Sequence, residues 1–225
     1  MAIGAINNDG NGTDSGHVRV FQYSSDSWSK LGGDIKGEAV NDQSGNSVSL
    51  SADGKTLAVG AYGNDSNGNF SGHVRIYNYN GQNWTQLGGD MDGEADNDQS
   101  GVSVSLSSDG NTVAVGAFGN DGDNSESSGH IRVYHYNGNL WYQLGSDIDG
   151  EAFGDNFGFS VSLSSDGNIV AVGAYGNDGN GTDSGRVTVY GYDANSWTQI
   201  GANIDGESDL DQSGYSVSLS SDGTI

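Results

Sequence analysis

The sequence predicts an all-β fold, a β-propeller of four-stranded antiparallel blades, and three observations carry that expectation. Trp28, Trp84, Trp141 and Trp197 recur at spacings of 56, 57 and 56 residues, each inside the same theme. Every copy of the theme breaks into short apolar runs bounded by Gly, Asn and Asp, with no helical periodicity. The first run of each copy, S-V-S-L, sets small polar residues against apolar ones with a period of two. Long internal repeats mean stacked supersecondary units. Four short strands per unit, with small residues on the innermost one, make a propeller blade. A β-solenoid is the weaker alternative, because its turns have shorter periods and fewer tight hairpins.

Residues 44–88 illustrate each element in order. In strand A, Val48 and Leu50 alternate with Ser47, Ser49 and Ser51. Asp53-Gly54 follows, a dipeptide suited to a two-residue hairpin turn whose central residues need positive φ. Thr56 to Ala61 returns as strand B and is nearly all apolar, as befits a strand covered on both faces. A loop from Gly63 to Gly72 leads to strand C, His73 to Tyr79. Asn80-Gly81 forms another turn, and Trp84 to Leu87 is the outer strand D.

Four repeats fill the chain cyclically. The seam Asp222-Gly223-Thr224-Ile225 followed by Met1-Ala2-Ile3-Gly4-Ala5 has the length and pattern of Asp53 to Ala61. The expectation is therefore one domain over 1–225, with repeats at about 1–43 plus 214–225, 44–99, 100–156 and 157–213. The N- and C-terminal strands would together complete one blade. The alternative is that the ends pair between chains, two chains forming an eight-bladed ring or many a fibre. A chain that starts in mid-strand reads as a trimmed piece or a slice of a longer array.

Thirty acids against seven bases give a net charge of −23. Nucleic acid is a poor partner for such a chain, since phosphate binding needs a basic footprint; cations and basic ligands suit it. Cysteine and proline are both absent, and 39 glycines do the turning. No apolar stretch is long enough for direct membrane insertion. The opening residues lack the basic start and apolar middle of a signal peptide.

Phe157-Gly158-Phe159-Ser160-Val161-Ser162-Leu163 followed by Gly173-Ala174 resembles the FG-GAP repeat of integrin α-like β-propellers. The other copies read Ser44-Gly45, Ser100-Gly101 and Ser213-Gly214, with Gly60-Ala61, Gly116-Ala117 and Gly4-Ala5. The resemblance covers all four repeats. It implies a propeller of about seven blades, cell adhesion, an extracellular or cell-surface location and calcium binding in D-x-D-x-D loops between strands A and B. Here that place holds only the tight Asp-Gly turn, so the family's calcium site does not carry over by position. The motif's final Pro is replaced by Tyr62, Phe118, Tyr175 and Ile6.

Sorted by connection, 16 acids fall in the D–A loops, 8 in the B–C loops, 4 in the A–B turns and 2 in the C–D turns, leaving none for a strand. In a propeller the D–A and B–C loops emerge on one face, so that face should be strongly negative. The B–C loops repeat D-x-N or D-x-D: Asp9 and Asn11, Asp65 and Asn67, Asp121 and Asp123, Asp178 and Asn180, with Asp14 and Asp183 as added oxygens. Alternate oxygen ligands in a Gly-rich loop suit Ca2+, which takes six to eight of them; the same residues are also ordinary loop formers. The D–A loops keep Gly37-Glu38, Gly93-Glu94, Gly150-Glu151 and Gly206-Glu207, with Asp42, Asp98, Asp155 and Asp211 four residues after each Glu. These acids are expected to accept loop hydrogen bonds or to pair with Arg19, Arg75 or Arg132 on strand C, a pairing that Thr188 would break in the last blade. His17, His73 and His130 share one strand C position, filled by Arg186 in the fourth copy, and are expected to serve neither catalysis nor metal binding. The tryptophans are expected to pack blade against blade.

The expected function is an extracellular, cation-stabilised binding or adhesion module that recognises protein or carbohydrate through the acidic face, with Ca2+ as cofactor. The alternative is a structural repeat unit assembling end to end into a filament or surface layer, with self-association through the split strand. No Cys nucleophile, G-x-S-x-G or H-E-x-x-H appears, and repetition argues against a unique acid pair, so the chain is expected not to be an enzyme.

Overall fold

The computed structural model describes residues 1–121 and 127–225 and contains 19 strands in four antiparallel sheets, with no helix among the described residues. The sheets are the blades of a β-propeller. Blade 1 holds β1 (Ala2–Ala5), β2 (His17–Ser24), β3 (Ser27–Lys30) and β4 (Ile35–Lys36). Blade 2 holds β5 (Ser47–Leu50), β6 (Thr56–Ala61), β7 (His73–Tyr79), β8 (Trp84–Gln86) and β9 (Met91–Asp92). Blade 3 holds β10 (Ser103–Leu106), β11 (Thr112–Ala117), β12 (His130–Tyr136), β13 (Trp141–Gln143) and β14 (Ile148–Asp149). Blade 4 holds β15 (Phe157–Leu163), β16 (Ile169–Ala174), β17 (Arg186–Asp193), β18 (Ser196–Gln199) and β19 (Ile204–Asp205).

Strands A to D lie where the alternation puts them. One element per blade is new: a two-residue strand in the D–A loop returns to pair with the start of strand C, as Met91 pairs with Val74 and Asp92 with His73. The acids are accordingly not confined to loops. Asp92, Asp149 and Asp205 stand on these short strands, and Asp193 closes β17.

The A–B turns also differ from expectation. Gly54 is at φ 70°, but Asp53 is not at positive φ, and the Gly54 N–H donates to the Ser51 carbonyl. This is a four-residue connection around a type I turn rather than a two-residue hairpin. The Asp53 carboxylate holds it, accepting from Ser51 Oγ at 2.7 Å and from the Lys55 N–H at 2.9 Å. True two-residue turns occur instead at Ser25-Asp26 and Ala194-Asn195, where all four residues have φ between 48° and 72°.

The turn in blade 4 makes a pH prediction. Hydrogen bonds from Ser164 and the Asn168 N–H hold the Asp166 carboxyl below its usual range. A lowered folded pKa adds stability that is present above the unfolded value and fades as pH falls through the folded one. The stability gap between wild type and Asp166→Asn should be constant above about pH 5 and close below about pH 4 in urea titrations.

Aliphatic side chains of strands A to C fill the space between blades, with Leu57, Ile76, Val113, Ile131, Val170 and Val172 fully buried. Serines of strand A stitch neighbouring blades. Ser47, Ser103 and Ser160 donate from Oγ to the carbonyls of Gly101, Gly158 and Gly214, each at 2.7 Å. Ser49, Ser105 and Ser162 accept at Oγ from the N–H of Leu106, Leu163 and Leu219. On the outer edge Trp84, Trp141 and Trp197 donate Nε1–H to the carbonyls of Leu31, Leu87 and Leu144 in the preceding blade, at 2.7–2.9 Å. Trp28 has no described blade before it and is 54% exposed. Each tryptophan also packs on the tyrosine opposite it, with centroids 5.1–5.3 Å apart.

The expected closure of blade 1 by the C-terminal segment is corrected by the pairings. Strand β1 pairs with β2 alone, and no hydrogen bond among the described residues joins it to residues 214–225. That segment sits on blade 4 as the inner strand of a following blade would: Ser160 and Ser162 bind it as above, and the Ser165 N–H donates to Ser221. The same serine contacts that join consecutive blades therefore hold the tail, while the pairing with β1 that would complete blade 1 is not made among the described residues. β6 and β11 are buried throughout and β16 nearly so, whereas β1 alternates between half-buried and exposed.

Candidate functional site: an acidic cleft between blades

Each D–A loop is built around one carboxylate. Asp42 Oδ2 accepts from the N–H groups of Glu38 and Ala39 at 3.0 and 2.8 Å, and Asp98 repeats the arrangement with Glu94 and Ala95. Asp42 Oδ1 accepts from Asn64 Nδ2, which belongs to the B–C loop of the next blade. Asp42, Asp98 and Asp155 are buried, so these acids are structural staples.

The glutamates turn outward to the next blade. Arg75 Nη2 lies 2.5 Å from Glu38 of the preceding D–A loop and 2.6 Å from Asp90 of its own blade. Arg132 does the same with Glu94 at 2.5 Å and Asp147 at 2.6 Å. In blade 4 the arginine has moved two residues along strand C, yet Arg186 still reaches Glu151 at 2.7 Å and Asp205 at 2.5 Å. Thr188 takes the vacated place and faces Asn203, a neutral pair replacing a charged one. The pairing expected to fail there is thus kept. Arg19, with no Glu before it, holds Asp34 alone, and Lys30 joins at 2.9 Å. The Arg75 hydrogen bond holds the Asp90 carboxyl below its usual range.

Between blades 2 and 3 these groups line a cleft of about 660 Å3, walled by Glu94, Asp98, Asp121, His130, Asp147 and Asp149. The histidines set aside on sequence grounds lie at its base and at the equivalent place one blade earlier. Ligand atoms of Glu38, His73 and Asp90 fall within 4.8 Å of one another, as do those of Glu94, His130 and Asp147. Burial, then the neighbouring Arg75, pushes the His73 imidazole below its usual pKa, and His130 is lowered likewise by burial and Arg132. Both rings are therefore neutral near pH 7. Their shared strand position was legible in the sequence; their carboxylate neighbours, on segments 17 to 36 residues away, were not.

The B–C loop residues have definite places. Asp9, Asp65, Asp121 and Asp178 each accept at Oδ1 from a backbone N–H five or six residues on, of Asp14, Phe70, Ser127 and Asp183. Those four N–H donors all sit at φ of 49–53°, so the carboxylates clamp a left-handed corner. Asn11, Asn67 and Asn180 direct Nδ2 across to the D–A loop, donating to the carbonyls of Gly37, Gly93 and Gly206 at 2.8–3.0 Å. Asp14 and Asp183 are themselves corner residues, at φ 50° and 49°, and enter the clamp through their backbone N–H groups. Asp123 lies outside the described residues. The D-x-N pattern thus joins the two loop sets into one face, leaving the second carboxylate oxygen of each Asp outside the clamp.

The FG-GAP repeat model matches residues 37–77 and 147–190, the segments that run from a D–A loop through strands A, B and C. The chain carries FG-GAP repeats. The propeller fold is shared with solved structures of low sequence identity. One is a Bacteroides uniformis ATCC 8492 protein provisionally assigned as a 6-phosphogluconolactonase, 15% identical, with TM-score 0.57 over 86% of this chain and 49% of that one. A second is the periplasmic gluconolactonase PpgL of Pseudomonas aeruginosa, 17% identical, with TM-score 0.56 over 91% of this chain and 53% of that one. A third is the hydrazine synthase of Kuenenia stuttgartiensis, 17% identical, with TM-score 0.52 over 92% and 60%. The FG-GAP chain spans about half the length of the first two. No curated protein matches its sequence. The two lactonase structures correct the expectation that the chain is not an enzyme: this fold carries proteins named as enzymes, so repetition and missing motifs do not exclude catalysis.

Proposed function

We propose that this FG-GAP propeller is an extracellular or cell-surface binding module that meets protein or carbohydrate ligands through the acidic face, with Ca2+ held at its B–C loops. The observation that carries the reading is the joining of B–C and D–A loops by Asn11, Asn67 and Asn180, which ties together the two loop sets that hold most of the chain's carboxylates. Close like charges repel by about 1 kcal/mol in water and more near protein. Only a few are neutralised internally, because seven bases face 30 acids. A hard divalent cation relieves that repulsion using oxygen donors alone. The candidate ligands are the second oxygens of Asp9, Asp65, Asp121 and Asp178, with Asp14 and Asp183 beside two of them.

Thermal unfolding tests this directly. Removing divalent ions with EDTA should lower the melting temperature, and adding millimolar calcium should restore it. Each site tighter than the free calcium concentration would contribute on the order of 1 kcal/mol. A melting curve indifferent to calcium contradicts the cation reading.

A further inference from the structure

We propose a second kind of cation site, for a first-row transition ion such as Zn2+, at His73 with Asp92, Asp90 and Glu38, repeated at His130 in the next blade. It is separate from the calcium reading and does not rest on it, since its donors include imidazole nitrogen.

His73 is 3% exposed, and its Nδ1 is buried without a hydrogen-bond partner. An unpaired polar atom in a blade interior is costly, so its retention calls for a reason. Carboxylates surround the ring: Asp92 Oδ1 is 3.9 Å from Nδ1, too far for a hydrogen bond, and a ring nitrogen of His73 lies within 4.8 Å of oxygens of Glu38 and Asp90. Two ligands of a tetrahedral zinc at about 2.0–2.2 Å stand about 3.4 Å apart, so the exposed Asp92 carboxylate would move about 0.5 Å toward the ring to share an ion with it. The ring is neutral, which leaves a nitrogen lone pair for coordination. Arg75 already bridges Glu38 and Asp90, but Asp42 and Asp92 add two further negative charges that act on the ring. Four carboxylates against one guanidinium leave the pocket negative, so a divalent ion is electrostatically accepted beside the arginine.

The other blades act as internal comparisons. In blade 4 the His position holds Arg186, and its guanidinium makes direct contact with Asp205, the counterpart of Asp92. A cationic group thus sits where the proposal puts an ion. In blade 1, His17 faces Lys36, and no carboxylate occupies that strand position. Only blades 2 and 3 combine a neutral imidazole with an aspartate opposite it. Blade 3 also has the open cleft, which gives an entry path to His130.

Zinc binding to the intact chain, measured by competition with a chromophoric chelator, tests the proposal. Two saturable sites are expected. Asp92→Asn, at a side chain 41% exposed, should keep the fold and weaken one site at least tenfold. His73→Gln should abolish that site, and His73→Gln with His130→Gln both. His73→Arg, which copies blade 4, should keep the fold by circular dichroism and lose one zinc. X-ray absorption at the zinc edge should show one imidazole with oxygen ligands. Absence of saturable binding overturns the site, as does unchanged stoichiometry in Asp92→Asn and His73→Arg, which would assign zinc to the acidic surface at large.

Discussion

Gly116→Ala should destabilise the protein by about 3 kcal/mol, as overpacking between close-packed elements does. For a chain of this size that is a fall of roughly 6–12 °C in melting temperature. A Cβ on Gly116 would lie 1.9 Å from the Gly158 carbonyl oxygen and 2.4 Å from Ser103 Oγ. Neither is the end of a long side chain that can swing aside. The carbonyl belongs to the inner strand of the next blade and accepts the Ser103 hydroxyl. The same clash recurs at Gly4, Gly60 and Gly173 against Gly45, Gly101 and Gly214, at 1.9–2.0 Å. The Gly of Gly-Ala is therefore the spacer that sets how closely blades approach. Gly89→Ala, where a Cβ meets nothing within 4 Å and φ is not positive, should stay within about 0.5 kcal/mol of wild type. Urea unfolding of the two variants checks this, and equal effects would refute the spacer role.

Asp42→Ala should cost about 3 kcal/mol, because it strands three donors at once. The Glu38 and Ala39 N–H groups and the Asn64 amide all lose their acceptor, and Asp42 is only 2% exposed. Each buried unsatisfied group costs about 1–3 kcal/mol, and partial hydration after truncation offsets some of it. Asp211 makes the same two backbone contacts, with Glu207 and Ser208, but is exposed to water. Asp211→Ala should therefore cost under about 1 kcal/mol. Denaturant midpoints of both variants measure the difference, and similar losses would remove the stapling role from Asp42.

The repeat and its strands B and C were legible because period-two alternation bounded by Gly is a local signal. Thr56–Ala61 and His73–Tyr79 stand where the pattern places them. Strand β9 was not legible, since two residues, Met91 and Asp92, cannot display a period. The Asp-Gly turns were misread in type because Asp53 serves as a side-chain acceptor, a role the dipeptide does not reveal. The D-x-N loops read as a ligand pattern, while the Asn67 amide in fact crosses 26 residues to the Gly93 carbonyl. That bond exists only once blade and loop are folded. The His73 cluster was illegible for a related reason: Glu38, His73 and Asp90 meet through blade stacking, not sequence proximity.

Hydrogen exchange resolved by residue tests the blade-to-blade account most directly. Amides of β6, β11 and β16, each flanked by strands on both sides, should exchange slowest and at similar rates. Those of β1 and of residues 214–220 should exchange much faster, since β1 has one partner strand and the tail has none. Protection of β1 equal to that of β11 would contradict the account, because it would require an inner strand laid against β1.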